Sequence, residues 1–212
     1  MRVRVWDGPT RIAHWLMAIL FGLSWWTGKS GRLEWHRWSG YVLLGVLVFR
    51  ICRGFFGTST ARFTQFLRGP RDILAYVKGR WPLAPGHNPL GALSVLALLL
   101  LMLVQVGLGL FAVDLDGIES GPLAIHVSFD TGRLCARWHH TIFTALKVFI
   151  GLHIAAVLFY VFVKKENLIG AMIGGTRGYE SQPAEPVRFA SWVRIVVALG
   201  VAAAIAWFLT RE

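Results

Sequence analysis

The sequence predicts an all-α integral membrane protein: a four-helix transmembrane bundle followed by a fifth transmembrane helix. Three observations carry that expectation. Hydrophobic residues make up 55% of the 212 residues and charged ones only 16%, whereas soluble domains sit nearer to about 25% charged. The 10 Trp and 14 Phe add more large rings than one soluble core easily hides. Five apolar segments, 9–27, 35–55, 89–113, 138–163 and 190–209, are each long enough to cross a bilayer core of about 30 Å as a helix. Their outer surfaces would meet membrane lipid.

Each segment has its own signals. The first follows Asp7-Gly8-Pro9, a helix start with Pro in the first turn. Trp25 and Trp26 close it, and Trp35 and Trp38 open the second. These rings form an interfacial aromatic belt and place the turn 28–34 at a membrane surface. Between the second and third segments, Ala61–Gly79 mixes Phe63, Phe66, Leu67, Ile73, Leu74, Tyr76 and Val77 with Arg and Lys. It reads as a Pro-broken amphipathic stretch lying on the inner surface. The loop Asp114–Arg137, acidic for most of its length, reads either as a docking surface for a soluble partner or as a solvated loop. The fifth segment follows Pro183 and Pro186. Residues 1–177 are therefore expected to form the bundle, and 178–212 a linker with the additional helix.

With 22 Lys+Arg against 11 Asp+Glu, the net charge is +11. In a soluble chain such a balance would suggest nucleic acid, but here the apolar segments make it a matter of topology. Arg2, Arg4, Arg11, Arg50, Arg53, Arg62, Arg68, Arg71, Lys78, Arg80, Lys164, Lys165, Arg177, Arg188 and Arg194 all fall on the side of the N-terminus. The opposite loops hold Lys29, Arg32, Arg37, Arg133, Arg137 and Arg211. Basic residues collect in cytoplasmic loops. The expectation is an inner-membrane protein with a cytoplasmic N-terminus, a periplasmic C-terminus and no cleavable leader. Cys52 and Cys135 then lie on opposite faces, and without a CxxCH there is no covalently attached c-type haem.

Ionisable residues inside spans are costly and point to function. His14 lies about one turn into the first segment, His36 at the outer end of the second, and His139 and His140 at the outer end of the fourth. His153 comes 14 residues after His139. That spacing puts it about 21 Å deeper and only about 40° around the helix. The fourth helix therefore presents an imidazole at each leaflet on one face. His36 waits at the outer level and His14 at the inner one. Two axial pairs stacked across the membrane suit two b-type haems. Zinc would want three or four ligands around one point. A His/Met pair is disfavoured because Met17 and Met102 lie on other helices. Bis-His ligation fills both axial positions, which favours electron transfer over oxygen binding.

Haem propionates need cationic partners. Arg11 precedes His14 by one turn, Arg37 and Arg137 flank the outer pair, and Arg50 falls under His36 at the inner level. Each could equally be a topology charge. Glycines at 22, 40, 45, 107, 109 and 151 could let a macrocycle approach or let helices pack. Lys147 is the one clear charge in mid-membrane. It reads as hydrogen-bonded to carbonyls of a neighbouring helix, or as a partner of a propionate, quinone or lipid phosphate.

The stretches VWDGPTRIAHW, HRWSGYVLLGVLVFR, ARFTQFLRGP, GHNPLG and H…LHIAAVLFY…KKENLIGAMIGG resemble the bacterial cytochrome b561 family, which includes the cytochrome b subunit of nickel-iron hydrogenases. The likeness covers roughly residues 5–177. It implies a four-helix dihaem b cytochrome with axial ligands at His14, His36, His139 and His153, and with His87 of GHNP as a loop feature. It implies electron transfer between the quinone pool, ubiquinone or menaquinone, and a periplasmic redox protein such as a c-type cytochrome or a hydrogenase subunit. Two other functions compete: a superoxide oxidase passing electrons to ubiquinone, and a redox-silent membrane anchor. The fifth helix departs from the four-helix pattern of the family.

Overall fold

Asp7 opens the first long helix. The computed structural model describes residues 1–80, 85–116, 119–179 and 186–209. Among these, the elements are β1 (Arg2–Arg4), α1 (Gly8–Lys29), α2 (Leu33–Phe56), α3 (Phe63–Phe66), α4 (Pro70–Val77), α5 (Pro89–Phe111), α6 (Phe129–Phe162), α7 (Leu168–Gly174), β2 (Thr176–Gly178) and α8 (Trp192–Leu209). Pro183 and Arg211, both used in the topology above, lie outside the described residues.

Local chemistry sets the boundaries. Asp7 accepts a hydrogen bond from the Thr10 amide at 2.9 Å with Pro9 in the first turn, and Asn88 accepts from Gly91 ahead of Pro89. Side-chain oxygens at these cap positions satisfy amides that have no partner within the helix. Ser128 caps α6 in the same way, with Asp130 in the first turn. That cap starts α6 nine residues before the expected Trp138, so the outer loop is correspondingly shorter. At about 1.5 Å per residue, the 34 residues of α6 span about 51 Å, more than a bilayer core.

Four helices, α2, α5, α6 and α8, are long and apolar enough to cross a membrane. The first helix has the length, 22 residues, but falls short of the others in hydropathy. Arg11, His14, Trp15, Trp25, Trp26 and Lys29 dilute its aliphatic content. Pairing is closest between α1 and α2 and between α5 and α6, with α8 laid along α2. Leu20, Leu43, Leu44, Leu47, Leu99, Met102 and Val106 join α1, α2 and α5. A second cluster of Ala13, Phe49, Ala198 and Ala202 seats α8 on the α1–α2 pair. The apolar face of α6 is almost wholly exposed, as expected of a surface facing lipid.

The amphipathic stretch resolves into α3 and α4, broken at Gly69-Pro70. A hydrogen bond between the Tyr76 and Tyr160 hydroxyls ties α4 to α6, and Asn88 donates to Tyr160 at 2.8 Å. The sequence reading missed a two-stranded antiparallel ribbon, in which Arg2 faces Gly178 and Arg4 faces Thr176. Val5, Trp6, Ala171 and Tyr179 pack beside it. Gly175 turns into the ribbon at φ +84°, and a Cβ there would meet the Trp6 carbonyl oxygen at 2.7 Å. Only glycine fits both constraints.

Candidate functional site

Four of the histidines lie together in two pairs of neighbouring rings. His36 of α2 and His139 of α6 have ring centroids 6.1 Å apart. His14 of α1 and His153 of α6 stand 6.4 Å apart. All four are half-buried. An imidazole nitrogen sits about 2 Å from a bound metal, so two rings sandwiching one metal atom need centroids roughly 6 Å apart. Both pairs meet that spacing. Among the described residues no group of three or more His, Cys, Asp and Glu comes together as a metal cluster, so each pair is a two-imidazole unit.

Backbone carbonyls orient the outer pair. His36 Nδ1 lies 2.8 Å from the Ser24 carbonyl oxygen, and His139 Nδ1 lies 2.9 Å from that of Gln105. Each Nδ1–H therefore donates to a carbonyl, which fixes the tautomer and leaves Nε2 as the basic nitrogen, the usual support for a metal-binding imidazole. Gly28 and Gly109 make room for these rings. A Cβ on either would come within 3.0 Å of His36 or His139 respectively. Gly109 stood among the sequence candidates, whereas Gly28 was missed because nothing local marks it. The inner pair is held differently: His14 Nδ1 is buried without a hydrogen-bond partner among the described residues.

A cavity of about 710 Å³ surrounds the outer pair, within the usual size range of cofactor pockets. Phe21, Trp25, Met102, Phe143 and Leu146 supply apolar walls, and Gly40 opens one side. Phe21 of α1 and Phe143 of α6 meet beside the cavity with ring centroids 5.8 Å apart. Two neighbouring imidazoles beside a largely apolar cavity of this size fit a haem.

The cationic candidates divide. Arg37 and Arg137 line the outer cavity together with Lys29 and Arg133, but Arg37 is ion-paired with Glu119. The loop expected to be free thus folds over the cavity, held also by the bridge between Val113 and Ser120. Arg11 donates to the Ile173 carbonyl and ties α1 to α7. Arg50 is buried, donates to the Ala61 carbonyl at 3.4 Å and sits 5.8 Å from the Phe63 ring centroid. Lys147 lies 4.8 Å from the Phe143 ring centroid and 5.9 Å from that of Trp25. Among the described residues, it stacks on these ring faces. His140 is exposed at the cavity rim.

His87 packs between Trp6 and Phe66, with centroids at 4.8 and 5.0 Å. Burial, helped by the nearby Arg50 charge, pushes its imidazole down to about 3. It is a neutral ring in the cover below the inner pair.

The sequence profile described as prokaryotic cytochrome b561 matches residues 5–175. A relative from Azotobacter chroococcum mcd 1, named "Probable Ni/Fe-hydrogenase B-type cytochrome subunit", is 26% identical over 216 residues, covering 84% of this chain and 89% of the relative. No solved structure matches. The match takes in all four paired histidines and three of the four apolar helices, and the chain belongs to the prokaryotic cytochrome b561 family of haem-binding membrane proteins of electron transport.

Proposed function

We propose that this chain is a dihaem b-type cytochrome carrying electrons between the quinone pool and a redox protein at the outer face, of the hydrogenase or c-type cytochrome class. The observation that carries the reading is the pair of His–His spacings, 6.1 and 6.4 Å. Residues 1–177 form the haem unit, and α1 crosses the membrane despite its lower hydropathy. The additional helix α8 braces the α1–α2 pair. The basic residues put the N-terminus in the cytoplasm of an inner membrane.

His36 with His139, and His14 with His153, would hold one haem b each. Bound there, haem supplies one-electron chemistry with both axial positions filled. The chain's own part is positional. The Ser24 and Gln105 carbonyls hold the outer imidazoles in one tautomer. Phe21, Trp25 and Phe143 pack on one another as an apolar wall of the outer cavity. Lys29, Arg133 and Arg137 offer donors to propionates at the outer rim. The hydrogenase link rests on the name of the Azotobacter relative.

Purified protein is expected to carry two haems b per chain by pyridine haemochrome, and both should be reduced by a quinol in membranes. A preparation with no reducible low-spin haem would sink the reading and favour a redox-silent anchor. Gly109→Ile should push the His139 ring off the Gln105 carbonyl and lower outer haem occupancy severalfold. Gly107→Ile, where an added Cβ has nothing within 4 Å, should leave it near wild type. Lys147→Met should keep both haems yet slow quinol-linked reduction several-fold in stopped-flow traces. Unchanged kinetics would leave Lys147 only its packing on Phe143 and Trp25.

A second reading has one observation behind it. Lys29, Arg37, Arg133 and Arg137 face Asp114 and Glu119 around the outer cavity, an excess of positive charge that would steer a small anion. Superoxide oxidation feeding ubiquinone would use such a funnel. Stopped-flow mixing with superoxide decides: haem reduction no faster than that of free haem removes this reading.

A further inference from the structure

On the face that carries the N-terminus, away from both histidine pairs' cavity walls, a second pocket of about 260 Å³ is lined by Ser59, Arg62, Gln65, Pro186 and Arg188. Among the described residues, no acidic side chain lines it. Its two guanidinium groups come from separate parts of the chain that are pinned together through the backbone. The Ser59 amide donates to the Arg188 carbonyl at 2.9 Å, and the Arg188 amide donates back to the Ser59 hydroxyl at 3.0 Å. The Ala190 amide reaches the Thr58 hydroxyl at 3.3 Å. These bonds hold the linker before α8 against the turn after α2 without using either arginine side chain.

Neither arginine side chain is spent on that pinning, and one is short of a partner among the described residues. Arg62 Nε is buried with no hydrogen-bond partner among the described residues. A buried N–H of a cation left unpaired is costly, and an oxyanion would remove that cost. Asp7, a carboxylate at the start of α1, is committed to Arg53 and Thr58. Arginine pairs presenting forked N–H groups match the oxygens of a phosphate. Exposed rings follow along the chain on either side: Phe55 and Phe56 before the turn, Phe189 and Trp192 after Arg188. Arg4 stacks over Phe189 at 5.1 Å and adds a third cation nearby. Aromatic rings of this kind gather at the headgroup level of a membrane.

We propose that the Arg62–Arg188 pocket binds a phosphate-bearing anion, and that the phosphodiester of an anionic phospholipid fills it while Phe55, Phe56 and Trp192 meet the lipid's apolar part. The site does not depend on which quinone or outer partner the protein uses.

Haem-loaded protein in detergent is titrated with short-chain phosphatidylglycerol, with phosphatidylcholine of the same chain length, and with inorganic phosphate, and bound ligand is counted by native mass spectrometry. Wild type should bind one phosphatidylglycerol, more tightly than phosphatidylcholine. Arg62→Gln and Arg188→Gln should each weaken that binding about tenfold, the scale of one charged hydrogen bond. Arg71→Gln, on the exposed side of α4, should not. Both haems should stay in every variant, so the lipid result is read independently of the haem assignment. Binding of inorganic phosphate with the same arginine dependence would identify free phosphate as the ligand and keep the pocket. If a variant fails to fold, cross-linking wild type with a headgroup photoprobe of phosphatidylglycerol answers instead: label on peptides holding Arg62 or Arg188 supports the site. Equal binding in both Gln variants, or label only elsewhere, overturns it.

Discussion

His139→Ala protein is expected to carry one haem b per chain, and His140→Ala protein two. The two residues are adjacent on α6, so charge, depth and local composition are nearly the same for both. What separates them is direction. His140 stands 13 residues before His153, about 140° around the helix from it, whereas His139 is about 40° away. That arithmetic holds only if α6 is regular. It is: Phe129–Phe162 runs as one uninterrupted α-helix, without the π-bulge that would rotate one histidine against the other. The rings behave accordingly. His139 faces His36 and is anchored on the Gln105 carbonyl, while His140 is exposed at the rim. Truncating His139 removes half of the outer pair, and His36→Ala should give the same loss. The readout is pyridine haemochrome per mole of chain, with the optical spectrum of the remaining inner haem as a control for folding. Two haems in His139→Ala, or one in His140→Ala, would overturn the assignment.

The pairing was legible because helical periodicity is strict. Fourteen residues bring a side chain back to nearly the same face, and a membrane span limits which helices can share a level. The same regularity explains what was not legible. Gly28, unlike the candidate Gly109, escaped notice because it matters through a ring on another helix, His36, and no local pattern announces it. The start of α6 hinges on one cap, Ser128 accepting from Thr131. The mixed composition around Arg133, Arg137, His139 and His140 hid that cap behind what looked like a loop. The ribbon joins strands of three residues each, too short for alternation to show. The acidic loop, read as either a docking surface or a solvated loop, lies along the outer cavity, with Glu119 paired to Arg37 across 82 positions. Long-range ion pairs of this kind depend on the fold already being in place.

Arg53 is the clearest case, and it carries the second large expected effect. In the sequence it is one more basic residue at a cytoplasmic helix end. In the structure its side chain is only 1% exposed and is ion-paired with Asp7, which also accepts from the Thr58 hydroxyl. Three segments meet at this point: the start of α1, the end of α2 and the turn after it. Asp7→Asn keeps a capping side chain, since Asn serves at a helix start about as well as Asp, but leaves the Arg53 charge buried without its counter-ion. Removing one partner of a buried pair costs about 3–5 kcal/mol, so the variant should unfold at markedly lower denaturant or temperature than wild type. Asp7→Asn combined with Arg53→Met should recover part of the loss, because the stranded charge is gone. The pH dependence follows from the carboxyl. Burial alone would raise its pKa, but hydrogen bonds from Thr10 and Thr58 and the Arg53 charge outweigh burial and hold it below the ordinary 3.8. A lowered folded-state pKa means the stabilisation is complete above the unfolded value and is lost as pH falls through the folded one. Wild type should therefore lose stability below about pH 4 along a segment of the curve that Asp7→Asn lacks. Identical melting curves for wild type and Asp7→Asn at pH 7 would show that the pair is not what holds these three segments together.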